Sequence, residues 1–438
     1  MPSSQSSSSQ RQSLIERILG STVLIWLMRL AVGGLFAFSG FVKAVDPWGS
    51  IIKINEYLTV WGTELPGALT VCGGFLLGGF EFLWGVLLML GCYRRCSVWM
   101  LTLQMTFMLP LTLYILIASP VDDCGCFGDA ITISNTATFV KNIVITIALI
   151  YLILYNTRVA GLFTTYVQWI VGGLVTFYIF AVELFSYNIQ PLQDYRRFAP
   201  GAMLVEQEAD DDAADVEMEY IYEKDGQRRT FAIDNLPDST WTFVDRKIVS
   251  GEADNTDGFI IIRDGEDIAP ELIDNEIPMF LVSLPNVRMV DLSATYVINE
   301  LNDFILSQGG SMLALVGSDE ASIEWWRDIS MATYPIVKAD ERELLELARG
   351  NAALIYLNKG RVEWKRSVES ITGTVVRETP SDKLLAELDP EPDFVLKSLT
   401  FGFGAVFLIF FILDRSGKLI QWHFSRKKRK QKVLQSKT

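Results

Sequence analysis

The chain has 438 residues, half of them apolar, a single histidine and a formal net charge of −14. So acidic a balance argues against nucleic acid as a partner. Runs of about 20 apolar residues recur, each long enough to cross roughly 30 Å of hydrocarbon as a helix, and they mark a multi-pass membrane protein.

Residues 1–20 open on a Ser- and Gln-rich stretch expected to be a disordered cytoplasmic tail. Apolar spans follow at about 21–43, 67–91, 96–119, 138–156 and 165–187, with a sixth at 394–413. The first is too long for a cleaved signal peptide and has no small-residue cleavage site. Arg11, Arg17, Arg94, Arg95 and Arg158 fall on one side of this six-span arrangement, together with the basic tail 414–438. The excess of positive charge makes that side cytoplasmic, with both termini on it. Residues 189–392 are then extracytoplasmic, and their 41 Asp and Glu against 19 Lys and Arg suit a translocated region. Between the first two spans, 51–61 fits a short amphipathic helix on the outer surface, with Ile51, Ile54, Leu58 and Trp61 on one face.

The expected organisation is a five-span membrane domain at 21–188, a β-rich subdomain at 189–277, an α/β domain at 278–390, and a transmembrane anchor at 394–413. The linker at 206–215 is acidic, and the one at 389–392 contains two prolines. Residues 217–233 read as a hairpin around Asp225-Gly226, and Phe259-Ile-Ile-Ile262 as a strand before Asp264-Gly265. Strands at 279–283, 312–316 and 334–338 then alternate with helices at 293–307, 320–330 and 341–349. Strands at 353–357 and 361–366 close the series around Lys359-Gly360. A β-α-β-α series closed by a hairpin is the layout of a thioredoxin-like sandwich. The stretch after its first strand, Ser283 to Arg288, has no cysteine, and 189–392 has neither Cys nor His. This region therefore cannot exchange thiols or build a His/Cys metal centre, and is read as a binding module.

Cys124-Gly125-Cys126, between the third and fourth spans, is the candidate redox site. Two thiols one residue apart close only a strained disulfide, and strained accessible disulfides tend to be labile or catalytic. Asp122, Asp123 and Asp129 are expected to raise the thiol pKa values, with Lys141 and the start of the fourth span opposing them. A cycling dithiol, a static structural pair and, last, a metal site are the alternatives. No metal is assigned. A second constellation lies inside the spans. Counted from the cytoplasmic ends, Arg29, Glu81 and Gln104 share one layer, and an Arg29–Glu81 pair is expected. These three form a polar pocket for a quinone headgroup, a proton path or a structural tie between helices, and Lys141 joins them as a candidate for cofactor binding. Lys43, Asp46, Glu56 and Lys141 are expected to cluster at the outer interface.

Several of these runs resemble the DoxX/MauE family of membrane proteins. They are Arg29 to Gly40 with Lys43-Ala-Val-Asp-Pro47, Ile52 to Leu58, Glu81, Gly85 and Gly91, and Asp123-Cys-Gly-Cys-Phe-Gly-Asp129 with Lys141-Asn142. The soluble half resembles a thioredoxin-like extension of a bacterial subgroup, through Pro191 to Arg196 and Ala348 to Leu354. Ala352 stands where that extension usually has proline, in keeping with a redox-inactive domain. Relatives are linked to thiosulfate:quinone oxidoreduction and to disulfide formation in a periplasmic dehydrogenase subunit. The resemblance thus implies a bacterial inner-membrane redox protein acting through Cys124 and Cys126, with a membrane quinone as the implied cofactor and a periplasmic client held by 190–392. The alternative is a non-catalytic scaffold subunit of an envelope complex. The residues leave open whether the chain is an enzyme.

Overall fold

The computed structural model describes residues 16, 19–118, 121, 124–205, 217–224, 227–232, 242–250, 258–263, 266–273 and 276–435. The acidic linker 206–215, the turns Asp225-Gly226 and Asp264-Gly265, Asp122, Asp123 and the tail 1–15 lie outside them. The chain forms two compact units. One comprises 1–196, 369–372 and 382–438, the other 197–368 and 373–381.

The first unit is a helical bundle. Helix α1 (Thr22–Val45) begins where the Ser21 hydroxyl accepts from the Leu24 amide, and it ends at Asp46. The Asp46 carboxylate accepts from the Gly49 amide and starts α2 (Pro47–Val60), with proline at its first position. Helix α2 packs on α3 (Gly67–Leu90), with Ile51 against Gly74 and Ile54 against Gly73. Helix α3 stops at Gly91, which takes the left-handed conformation. Next come α4 (Arg94–Ala118), α5 (Asn135–Tyr155) and α6 (Gln168–Asn188). Among the described residues, six helices are long and apolar enough to cross a membrane: α1, α3, α4, α5, α6 and the helix that begins at Pro392.

Helices α1 and α3 set the geometry of the bundle. They approach so closely that a Cβ on Gly85 would stand 2.5 Å from the Ala37 nitrogen, and one on Gly40 would run into the Phe82 backbone. Small residues permit such contact, and close backbone packing substitutes for the hydrophobic effect inside lipid. The contact aligns Gly40 with Gly78 and Phe82, and Gly33 with Gly85 and Met89. Val32, Phe36, Leu88, Leu101, Leu149 and Leu152 fill the space toward α4 and α5.

The second unit holds two main sheets. Strands β1 (Glu217–Lys224), β2 (Gln227–Ala232) and β3 (Thr242–Ser250) pair antiparallel in the order β2-β1-β3. Strand β3 is not evident in the sequence because Asp245-Arg246-Lys247 interrupts its apolar alternation. The strand expected at 259–262 is reduced to a short ladder, β4 (Ile262–Arg263) with β5 (Glu266–Asp267), although Phe259 and Ile261 are buried. A helical turn, α7 (Ala269–Leu272), follows.

The larger sheet contains β6 (Met279–Leu284), β7 (Ser311–Val316), β8 (Ile336–Lys338), β9 (Ala353–Asn358) and β10 (Arg361–Ser367), in the order β10-β9-β6-β7-β8. Strands β6, β7 and β8 run parallel, and β9 and β10 antiparallel to their neighbours. Every residue of β6 is buried, as suits a central strand covered on both faces. Helices α8 (Ala294–Ser307), α9 (Glu320–Ser330) and α10 (Glu341–Leu347) lie between the strands in sequence. Trp326 of α9 is fully buried, and Trp325 lies under the Arg288 guanidinium at 4.1 Å. Short helices α11 (Gly373–Glu378) and α12 (Ser381–Leu388) lead to α13 (Pro392–Gln435). In the first unit, α13 docks on α6, with Tyr178 stacked on Phe403 at 4.5 Å and bonded to Thr400 at 2.9 Å.

Candidate functional site

The Cys-Gly-Cys run sits in the loop between α4 and α5 and is tied into the bundle. Gly125 has φ +62°, which a residue with a side chain rarely adopts. A Cβ there would also press on Lys53 Cγ of α2 at 3.2 Å. The Gly128 amide closes a turn onto the Gly125 carbonyl at 3.1 Å. Phe127 is buried against Phe38, 5.7 Å between centroids, and Lys141 Nζ stands 4.3 Å from its ring centre.

Cys124 and Cys126 are free thiols with their sulfurs 2.8 Å apart. The Cys126 thiol, as donor, brings Cys124 down to about 6 against the opposing effect of burial. The Cys126 amide, Thr138 and Lys141 add to the lowering. Thr138 stands in the first turn of α5, and its buried hydroxyl has no other partner among the described residues. Cys126, the more deeply buried of the two, is pushed upward by the shared proton and by burial. Asp129 does not figure among the causes at either thiol, and Asp122 and Asp123, on which the rest of the expected aspartate effect falls, lie outside the described residues.

Both cysteines line a cavity of about 160 Å³. Its apolar wall includes Ile54, Leu77 and Met108, and its polar rim includes Lys53, Tyr57 and Tyr195.

Beneath the loop lies a buried ion pair. Lys43 Nζ is 2.7 Å from Glu81 Oε2, and both side chains are nearly inaccessible. Lys43 also donates to Ser39 Oγ at 2.8 Å and to the Cys126 carbonyl at 2.6 Å. Ser39 Oγ lies 2.7 Å from Glu81 Oε2 and 2.6 Å from the Cys126 carbonyl, so its single proton can serve either acceptor. Gln104 Nε2 donates to Glu81 Oε1 at 2.6 Å.

The expected Arg29–Glu81 pair does not form. Arg29 donates instead to Asn156 Oδ1 at 2.5 Å and to the carbonyls of Asn156, Val159 and Ala160 at 2.7, 2.7 and 3.4 Å. It also lies 4.7 Å from the Trp26 ring centre. The reason is register. With Gly40 aligned on Phe82 and Gly78, Arg29 comes level with Gly91 at the end of α3, well away from Glu81. The four residues proposed for cofactor binding therefore divide. Glu81 and Gln104 meet, Lys141 stands beside the cysteine loop, and Arg29 caps a turn elsewhere.

The expected interface cluster divides as well. Lys43 is buried on Glu81, Asp46 caps α2, and Glu56 pairs with Lys53 at 3.0 Å. Ser39 and Glu183 are absent from the expected set. Glu183, buried in α6, rests against Gly78 and Gly79. A lone carboxylate inside an apolar run was the available signal for it. Among the described residues, no three His, Cys, Asp or Glu side chains are grouped to hold a metal ion.

A bundle of this kind, with its thiol pair seated over a buried charge network, defines a multi-pass membrane protein of helical type. Residues 21–155 match the family described as Methylamine utilisation protein MauE, and the match supports a MauE/DoxX-like membrane family for this part of the chain. The matched segment includes Ser39, Lys43, Glu81, Gln104, Cys124, Cys126 and Lys141. Residues 216–249, which carry β1 to β3, match a Domain of unknown function (DUF8463). No curated protein and no solved structure gives a significant match to the chain.

Proposed function

We propose that the chain is a bacterial inner-membrane thiol–disulfide redox protein whose Cys124–Cys126 pair cycles between dithiol and disulfide at the periplasmic face. The contact of the two thiols beside a cavity, with Cys124 lowered to about 6, carries this reading. A thiol titrating there is largely thiolate at neutral pH, the form that attacks disulfides. Oxidation of the pair gives up two electrons and two protons. The MauE description adds a methylamine-utilisation context, in which the client is a periplasmic protein. Residues 189–392 serve as the client-binding module. The mixed sheet β10-β9-β6-β7-β8 supports a thioredoxin-like fold for it, and the absence of cysteine makes it redox-inactive. The cavity suits the flat headgroup of a lipid quinone, bordered by Tyr57 and Lys53, and a bound quinone would supply a two-electron acceptor.

A maleimide mobility shift on intact cells tests the cycle. Cys124 and Cys126 are expected to be mostly oxidised in quinone-replete cells and to accumulate as thiols when quinone synthesis is blocked. A redox state indifferent to quinone, with function retained when both cysteines become serine, would leave a non-catalytic membrane scaffold as the role of the chain.

A further inference from the structure

The two cysteines are not held alike. Cys124 faces the Thr138 hydroxyl and Lys141 from α5. Cys126 is held from α1, where Lys43 Nζ and Ser39 Oγ each approach its carbonyl at 2.6 Å. An ammonium has three N–H donors. Lys43 commits all three, to the Cys126 carbonyl, Ser39 Oγ and Glu81 Oε2, while only 4% exposed. Burying such a charge is costly even when it is paired. Here the cost maintains a contact to the backbone of one redox cysteine. A cation bonded to a residue's own carbonyl also lies close to its sulfur, and the Lys43 charge, after that of Lys141, counters the upward push of burial on Cys126.

We propose that Lys43 is a positioning residue that makes Cys126 the resolving thiol, by fixing it beneath Cys124 and supplying the positive charge its thiolate needs. This rests on the redox role proposed above. Run toward reduction of a disulfide, the reverse of client oxidation, the Cys124 thiolate attacks one sulfur of an organic disulfide RSSR, forming a Cys124–S–S–R bond and releasing RS⁻. The Cys126 thiolate then attacks the Cys124 sulfur, breaks its bond to SR, closes the Cys124–Cys126 disulfide and releases the second RS⁻. Two electrons pass to RSSR, and the two thiol protons go to solvent. Lys43 acts in the second step, Thr138 in the first, and the Lys141 charge, which favours both thiolates, in each.

The test uses the reduced full-length protein in lipid nanodiscs, carrying Cys72→Ser and Cys96→Ser to remove the other exposed thiols. The probe is dithiobis(nitrobenzoate), whose coloured thiolate reports attack and resolution as successive releases. Lys43→Met is expected to slow the second release about tenfold, far more than the first, and to move its pH midpoint up by about one unit, the effect of losing one close positive charge. Lys43→Arg should restore the pH midpoint, and Ser39→Ala, which keeps the ion pair and the Lys43 bond to the Cys126 carbonyl, should leave that midpoint in place. Unchanged second-step kinetics in Lys43→Met would overturn the proposal, as would equal slowing of both steps. If Lys43→Met does not assemble, an unchanged second release and pH midpoint in the polar Lys43→Gln overturn it. Wild-type protein that gives no second release refutes the redox role itself, a result distinct from the others.

Discussion

Helix α1 buries two cations, Arg29 toward one end and Lys43 toward the other, and satisfies them in opposite ways. Lys43 meets a carboxylate, Glu81, and through it Gln104 and the cysteine loop. Arg29 forms no ion pair among the described residues; its neighbours are an amide oxygen, three carbonyls and an indole ring. The difference follows from the shapes of the groups. A guanidinium fork presents five donors that can cover the unpaired carbonyls where α5 ends, while an ammonium is a compact charge that needs a counter-ion when buried. The Arg29 end is thus a structural cap. The Lys43 end links the bundle interior to the loop with the thiols.

The comparison can be broken by substitution. Glu81→Ala leaves the Lys43 ammonium buried without a counter-charge, and is expected to cost about 3–5 kcal/mol in a detergent melting experiment. It should also disturb Cys124 and Cys126, because the same ammonium holds the Cys126 carbonyl. Arg29→Met strips donors from the carbonyls of Asn156 and Val159, and is expected to cost about 2–3 kcal/mol by the same measurement. Thiol alkylation rates in that variant should match wild type; a change would show that the two ends are coupled. The smallest effect concerns pH. Cys124 titrates below the ordinary thiol range, so its thiolate is retained above about pH 6 and lost as pH falls below it. Alkylation of Cys124 should follow that midpoint. In Cys126→Ala the midpoint should rise, because the donor thiol of Cys126 is the largest cause of the lowering.

Much of this molecule is legible in its sequence. Apolar runs reveal the spans because a helix crossing lipid satisfies its backbone internally and must be apolar over a set length. Cys124-Gly125-Cys126 is visible as a site because its chemistry is local: two thiols, and a glycine able to take positive φ. The strand series from β6 to β10 announces itself through apolar runs broken by turn residues. Strand β3 does not, because charged residues interrupt its pattern.

The partners of buried charges are another matter. Counting depth from helix ends pairs Arg29 with Glu81, yet which residues share a level depends on how far one helix slides along the next. Steric contacts at Gly40 and Gly85 set that offset, and no periodicity within a single span encodes it. The same offset carries Lys43 from the membrane interface, where its long side chain was expected, into contact with Glu81. The sequence by itself determined that this is a membrane protein and where its thiols lie. Only the tertiary structure decided that a buried lysine holds one of them, because that contact spans 83 positions of chain and exists only where α1 and α3 pack backbone to backbone.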